Sequence, residues 1–359
     1  MPGTLVLGIT KHGVAIGRRL RDALPGSELH VPEKFSAAAG PGAVVYTKPL
    51  TAHLADVFPR YEYIVCVVSL GAVVRMIAPL LKDKHTDPGV VVVDDAAKFS
   101  ISVLSGHVGG ANALAEKVAF VLGATAVITT ASDAGKTVPV DILGREFGWT
   151  TELNDHITAI SAHVVNEEPI AFVQETGEPN WWTRDVPLPR TIRTFASING
   201  FDPAAFRAVL LVTDRDLSCF PGAVIEKAVV YRPKSLVVGI GCDRGTPCAR
   251  LEEGMRKVLA DARLSIRSVR NLATISLKAD EEGLLELCRK NAWRLDTYTP
   301  EAINAIRDRV PNPSETVLKF TGAVGSAEPS ALLSSGAERL LVEKVKLPQM
   351  TVAVARVRF

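Results

Sequence analysis

IVCVVSLGAVVRMIAPLLKDKHTDPGVVVVDD, Ile64 to Asp95, decides the fold class. IVCVV and VVVV are nearly continuous apolar runs, as strands buried on both faces of a parallel sheet are. Between them, a glycine follows the first run and apolar residues recur at helical spacing. The theme repeats along the chain. Leu5–Thr10 reads as a strand followed by Ile16, Leu20 and Leu24 on one helix face; Ala43–Tyr46, Phe99–Leu104 and Ala126–Thr130 are further strands. This alternation specifies a layered α/β domain.

The pattern thins after Trp149. EPNWWTRDVPLPRTIRTFASINGFDP, Glu178 to Pro203, is rich in Pro, Trp and Arg and poor in periodicity. It reads as part of a smaller, less regular α/β middle domain or as a substrate-facing irregular insert. YRPKS, Tyr231 to Ser235, is the next boundary, and LVVGIGCDRGTPCARLEEGMRKVLADA then restarts the strand–glycine loop–helix theme. Thr246 is expected to cap that helix and Pro247 to open it. The expected architecture is two layered α/β units flanking the middle domain, with domains at 1–149, 150–232 and 233–359.

Composition narrows the function. The 359 residues are 47% hydrophobic and 22% charged with a net charge of +2, so the chain buries sizeable cores. No basic stripe marks a nucleic-acid partner. No apolar run reaches the roughly 18 residues of a membrane span. Five scattered cysteines show no C-x-x-C zinc spacing, which points to a reducing compartment, the cytoplasm, and to no protein-bound metal.

Chemistry concentrates in loops that follow strands. LSGHVGGANALAEKVA, Leu104 to Ala119, is a strand end, a glycine-rich bend and a helix. Gly106, Gly109 and Gly110 leave His107 little cover, and a helix N-terminus offers N–H groups to an anion. The spacing fits neither a Walker loop nor a dinucleotide fingerprint. His107 is a candidate proton carrier, with Asn112 at the helix start. VITTASDAGK places Thr130, Ser132, Asp133 and Lys136 on one loop after a strand. Arg75 lies one turn into a helix at a strand's carboxyl end, where its fork could grip a carboxylate. Asp94 and Asp95 end VVVVDD, either of them a base or a turn former. In the C-terminal half, Gly241, Arg244, Gly245 and Thr246 form a second anion-receptive loop, and Cys242 reads as packed.

SLGAVVRMIAPLLKDKHTDPGVVVVDD, ISVLSGHVGGANALAEKVA and VITTASD closely resemble the N-terminal part of the cobalt-precorrin-5A hydrolases of anaerobic cobalamin biosynthesis. GIGCDRGT, SLKADEEGLLEL and GAVGSAEPSALLS resemble that family's C-terminal domain. The resemblance implies a hydrolase acting on a carbon–carbon bond: it opens the ring A δ-lactone of a cobalt-containing tetrapyrrole and releases acetaldehyde. It implies no cofactor, since the substrate brings the cobalt. A non-catalytic carrier of corrinoid intermediates is the competing reading.

On this resemblance His107, Asp133 and Asp94 are the expected catalytic residues. Arg75, Lys84, Asp87, Ser105, Gly106, Gly109, Gly110, Asn112, Lys136, Gly241, Arg244, Gly245 and Thr246 are expected to bind substrate, and Trp181 and Trp182 to face the flat macrocycle. Ala72 and Asp243 depart from the family pattern; the second stands where arginine is favoured, putting one carboxylate contact in doubt. The expected partner is the tetrapyrrole, with neither nucleic acid nor membrane. A homodimer and transient contact with neighbouring pathway enzymes are compatible with it.

Overall fold

A computed structural model describes residues 3–83, 86–107 and 109–359. The chain forms two compact units, 1–142 and 143–359.

The first unit contains a seven-stranded sheet of β1 (Thr4–Gly8), β2 (Ser27–Pro32), β3 (Val44–Tyr46), β4 (Tyr63–Val67), β5 (Gly89–Val93), β6 (Phe99–Leu104) and β7 (Thr125–Val127), in the order β3-β2-β1-β4-β5-β6-β7. Its helices are α1 (Lys11–Ala23), α2 (Ser36–Ala39), α3 (Leu50–Val57), α4 (Leu70–Ile77), α5 (Ala111–Leu122) and α6 (Ala131–Ala134). Both faces of the sheet are buried. Val6, Val65 and Val91 pack against α1 and α5 residues such as Leu20 and Val118; Leu5, Ile64 and Val90 pack against Leu54 and Val73 of α3 and α4. Each such side chain contributes about 1.5–3 kcal/mol.

The strands from β3 to β5 are parallel, but β6 runs against β5 and β7 runs with β6. Leu104 therefore pairs with Val90, at the start of β5. The ends of β6 and β7 emerge at the edge where β4 and β5 begin, opposite the edge where β1, β4 and β5 end. This reversal decides which residues can share a site.

The second unit holds two sheets. One has β8 (Thr150–Glu152), β9 (Ile170–Gln174), β10 (Ile192–Phe195), β11 (Ala208–Val212) and β12 (Ala228–Arg232) in the order β10-β9-β11-β12-β8, with α7 (Ile157–Val165) and α8 (Gly222–Ile225). The other has β13 (Leu236–Cys242), β14 (Val269–Ile275), β15 (Arg294–Tyr298), β16 (Leu340–Leu347) and β17 (Met350–Arg356), in the order β15-β14-β13-β17-β16. Its helices are α9 (Cys248–Asp261), α10 (Glu282–Asn291), α11 (Pro300–Asn304), α12 (Glu315–Thr321) and α13 (Ala327–Ser335). A buried charge cluster ties these two sheets together. Asp214, fully buried after β11, accepts from Nε and Nη2 of Arg356 at 2.7 and 2.8 Å and from the Ser235 hydroxyl at 2.9 Å.

Local differences from the sequence reading have physical causes. Pro247, not Thr246, stands at the cap of α9, because the Thr246 hydroxyl donates to Asp243 O at 2.9 Å to close the preceding turn. Trp181 is no open platform: it is buried and stacked on Phe172, with ring centroids 4.0 Å apart. The Trp182 indole donates to Val186 O at 2.7 Å.

Candidate active site

The bend after β6 folds back on itself. Ser105 takes a positive φ of 54°, and its hydroxyl donates to Asp87 O at 3.2 Å. A Cβ on Gly109 would lie 2.3 Å from Ser105 Cβ, and one on Gly106 2.5 Å from Asn112 Oδ1. Gly110 has a φ of 76° and faces the Tyr63 hydroxyl. These glycines admit the chain's own groups. The first N–H groups of α5 are spent the same way: Ala111 donates to Ser105 O at 3.2 Å and Asn112 to Gly106 O at 3.0 Å. The bend therefore holds itself in shape, where an anion cradle was expected.

What the bend presents is His107. Its Nε2 lies 2.8 Å from Asp133 Oδ2, its Nδ1 3.3 Å from Asp141 Oδ1, and the Ser132 hydroxyl 3.2 Å from Nε2. The imidazole side chain is 11% exposed, while Asp133 and Asp141 keep 26% and 25%. The hydrogen bond to Asp141 is the largest influence on its pKa; with the charges of both carboxylates it outweighs burial and holds the pKa above the ordinary value. With a carboxylate at each nitrogen the ring donates from both, as an imidazolium does. Asn112, buried, fixes Asp133: its Nδ2 donates to Asp133 Oδ2 at 2.7 Å and to Thr130 Oγ1 at 2.9 Å, and Ser102 donates to its Oδ1 at 2.7 Å. Lys136 lies on the same loop with a φ of 47°, its N–H donating to Asp133 O at 3.1 Å.

Asp87, Ser105, Gly106, His107, Gly109, Gly110, Asn112, Asp133 and Lys136 thus gather at one sheet edge. Beside Asp87 a cavity of about 430 Å³ is walled by Phe58, Pro59, Leu80, Leu81 and Pro88. Lys84 lies outside the described residues. Arg75 and Asp94 stand at the opposite edge and do not join this group. Asp94 closes the β5–β6 hairpin, accepting from Phe99 N–H at 2.6 Å and Ala96 N–H at 3.1 Å, so the turn-forming alternative holds. The exposed Arg75 donates to Gly71 O at 3.0 Å.

Asp141 is the residue the sequence reading missed. It follows the run Val138-Pro139-Val140 with no motif spacing to a histidine so far back in the chain. A lone carboxylate closing a buried apolar run was the only signal.

The C-terminal loop is also occupied by the chain itself. Glu281, buried, accepts from Gly245 N–H at 3.0 Å, from Lys278 at 3.2 Å and from Arg244 at 3.1 Å. Arg244 also holds Asp280 at 2.7 Å. Gly241 is needed because a Cβ there would meet Thr351 Oγ1 at 2.7 Å. Burial pushes the Cys242 thiol up to about 11, far from a nucleophile's range. Among the described residues no cluster of His, Cys, Asp or Glu is arranged to hold a metal ion, and no helix is long and apolar enough to cross a membrane.

Family profiles match most of the chain: "Cobalamin synthesis G N-terminal" over residues 52–133, "Cobalamin biosynthesis central region" over 138–233 and "Cobalamin synthesis G C-terminus" over 236–355. A protein of Priestia megaterium named cobalt-precorrin-5A hydrolase is 46% identical over 99% of this chain and 95% of its own. One of the same name from Salmonella typhimurium is 32% identical over 96% and 95%. "Protein CobE" of a Sinorhizobium species is 34% identical over 33% of this chain and 79% of its own.

Proposed function

The chain belongs to the cobalt-precorrin-5A hydrolase family, and on that premise we propose that the His107 clamp performs the hydrolysis and the loss of acetaldehyde. The observation that carries this reading is an imidazole held between two partly exposed carboxylates, in the loop that carries the family resemblance.

Water attacks the lactone carbonyl of ring A while Asp133 takes one of its protons. As the tetrahedral centre collapses, the imidazolium of His107 protonates the departing ring oxygen, which leaves as a secondary alcohol. His107 is then neutral and can act as a base. It removes the alcohol proton, the carbon–carbon bond breaks, and acetaldehyde departs. The bonding electron pair stays with the conjugated macrocycle, which receives the proton held by Asp133. One water is consumed, the new carboxylic acid ionises, and both side chains end as they began. Asp141 keeps the ring oriented and charged for the next cycle.

The cobalt belongs to the substrate, and the mechanism asks for no other cofactor. The cavity beside Asp87 is too small for a whole tetrapyrrole and suits one edge of it. Arg75, across the sheet, remains available to a peripheral carboxylate. Five free cysteines fit a reducing cytoplasm. Anaerobic incubation with cobalt-precorrin-5A tests the reading: one acetaldehyde per substrate is expected, whereas binding without acetaldehyde release would make the protein a carrier.

A further inference from the structure

Away from the His107 clamp, on the α3 side of the sheet, two histidines are buried together. His30 and His53 are 4% and 5% exposed, and His30 Nδ1 lies 2.9 Å from His53 Nε2. Their protons can be assigned from the groups around them. The Tyr61 hydroxyl donates to the Glu28 carboxylate. Having spent its proton, Tyr61 offers His30 Nε2 only an oxygen lone pair at 3.1 Å, with Glu28 Oε2 behind it at 3.5 Å. Both are acceptors, so His30 Nε2 carries hydrogen. Burial lowers the pKa of His30, so the ring is neutral and its Nδ1 is bare. His53 Nε2 must then donate to it. Burial also lowers the pKa of His53, to about 4, so His53 is neutral as well and its own Nδ1 is left as a lone pair.

That nitrogen has no hydrogen-bond partner among the described residues, and His53 lines a cavity of about 440 Å³. The size falls within the range of small-molecule sites. Tyr46 stacks on the His53 ring with centroids 3.9 Å apart, and the exposed Val44 and Val45 add an apolar wall. Four charged groups line the cavity. Lys48 and Asp56 form an ion pair, Glu28 accepts from Tyr61, and the Arg60 guanidinium has no ion pair among the described residues. A metal is disfavoured, since no group of metal-ligating side chains converges among the described residues.

We propose that this cavity is a second small-molecule site, taking an oxyanion that keeps a proton of its own: a hydrogen phosphate, free or as an organic monoester. Its O–H donates to His53 Nδ1, and a charged oxygen meets Arg60. A bare nitrogen acceptor repels an oxyanion without a proton, so the site selects phosphate over sulfate. The cavity shares no lining residue with the one beside Asp87.

Calorimetric titration at about pH 6, where a phosphate monoester is about half singly protonated, tests this. The probes are inorganic phosphate, phenyl phosphate and sulfate. Phosphate or phenyl phosphate should bind, with sulfate at least about tenfold weaker. Tighter binding of phenyl phosphate would assign the apolar wall to an organic body; equal affinity would assign the site to free phosphate. Arg60→Gln, a change at an exposed residue, should weaken phosphate by about tenfold while leaving acetaldehyde release unchanged. His53→Phe, which preserves the stack on Tyr46, should lose the preference over sulfate. Equal binding of sulfate and phosphate, no binding of either phosphate, or unaltered affinity in Arg60→Gln would overturn the proposal.

Discussion

An imidazole with a carboxylate on each nitrogen must give a proton away before it can take one. In the proposed mechanism His107 enters as an acid, so kcat/KM should fall as pH rises through its raised pKa. Asp141 is the largest cause of that elevation. Asp141→Asn should move the alkaline decline to lower pH; a limb that stays in place would remove Asp141 from this role. Stability follows the same linkage. The fold favours charged His107, a contribution fully present below about pH 6.5 and lost as pH rises through the folded pKa. His30 and His53, with lowered pKa values, act in the opposite sense. Their contribution is present above about pH 6.5 and is lost as pH falls towards His53's folded value of about 4. Most of the clamp was legible in the sequence, because His107, Asn112 and Asp133 sit in glycine- and hydroxyl-rich loops after strands. Asp141 was not, because only the tertiary fold brings it to Nδ1.

At the scale of elements, the reversal of β6 selects the site. Only residues 94–98 connect β5 to β6, far too few for a parallel crossover, which needs a dozen or more. Loop length alone thus places Leu104 and His107 at the edge where β5 begins, and leaves Arg75 and Asp94 at the other. The sequence reading gave Phe99–Leu104 no direction and, on the family resemblance, grouped residues from both edges. It also assigned the glycines to a ligand, whereas they admit Ser105, Asn112 and Tyr63. That difference is measurable. Gly109→Ala sets a methyl group against Ser105 and should cost about 1–3 kcal/mol in urea unfolding while displacing His107. Unaltered stability together with weakened substrate binding would return Gly109 to the ligand.

At the scale of the molecule, the alternation of apolar runs and helix periodicity was sufficient to expect α/β layers. The shared core of the second unit was not legible, since Asp214, Ser235 and Arg356 are far apart in sequence and carry no motif. Asp214→Ala removes the carboxylate that Arg356 and Ser235 hold and should destabilise that unit by about 1.5–3 kcal/mol, read by chemical denaturation. A loss below about 1 kcal/mol would make the pair equivalent to an exposed ion pair.

The central claim is that His107 moves a proton in both steps, to the departing ring oxygen and then from the alcohol. An anaerobic single turnover of cobalt-precorrin-5A by the His107→Gln protein, with acetaldehyde and the ring-opened hydroxy acid both quantified, tests it most directly. The variant retains a polar side chain between Asp133 and Asp141, so the fold should survive, verified by circular dichroism. The account predicts acetaldehyde release slowed by about 10²–10⁴-fold, the range for a lost acid–base group. Release at the rate of the unaltered protein would contradict it.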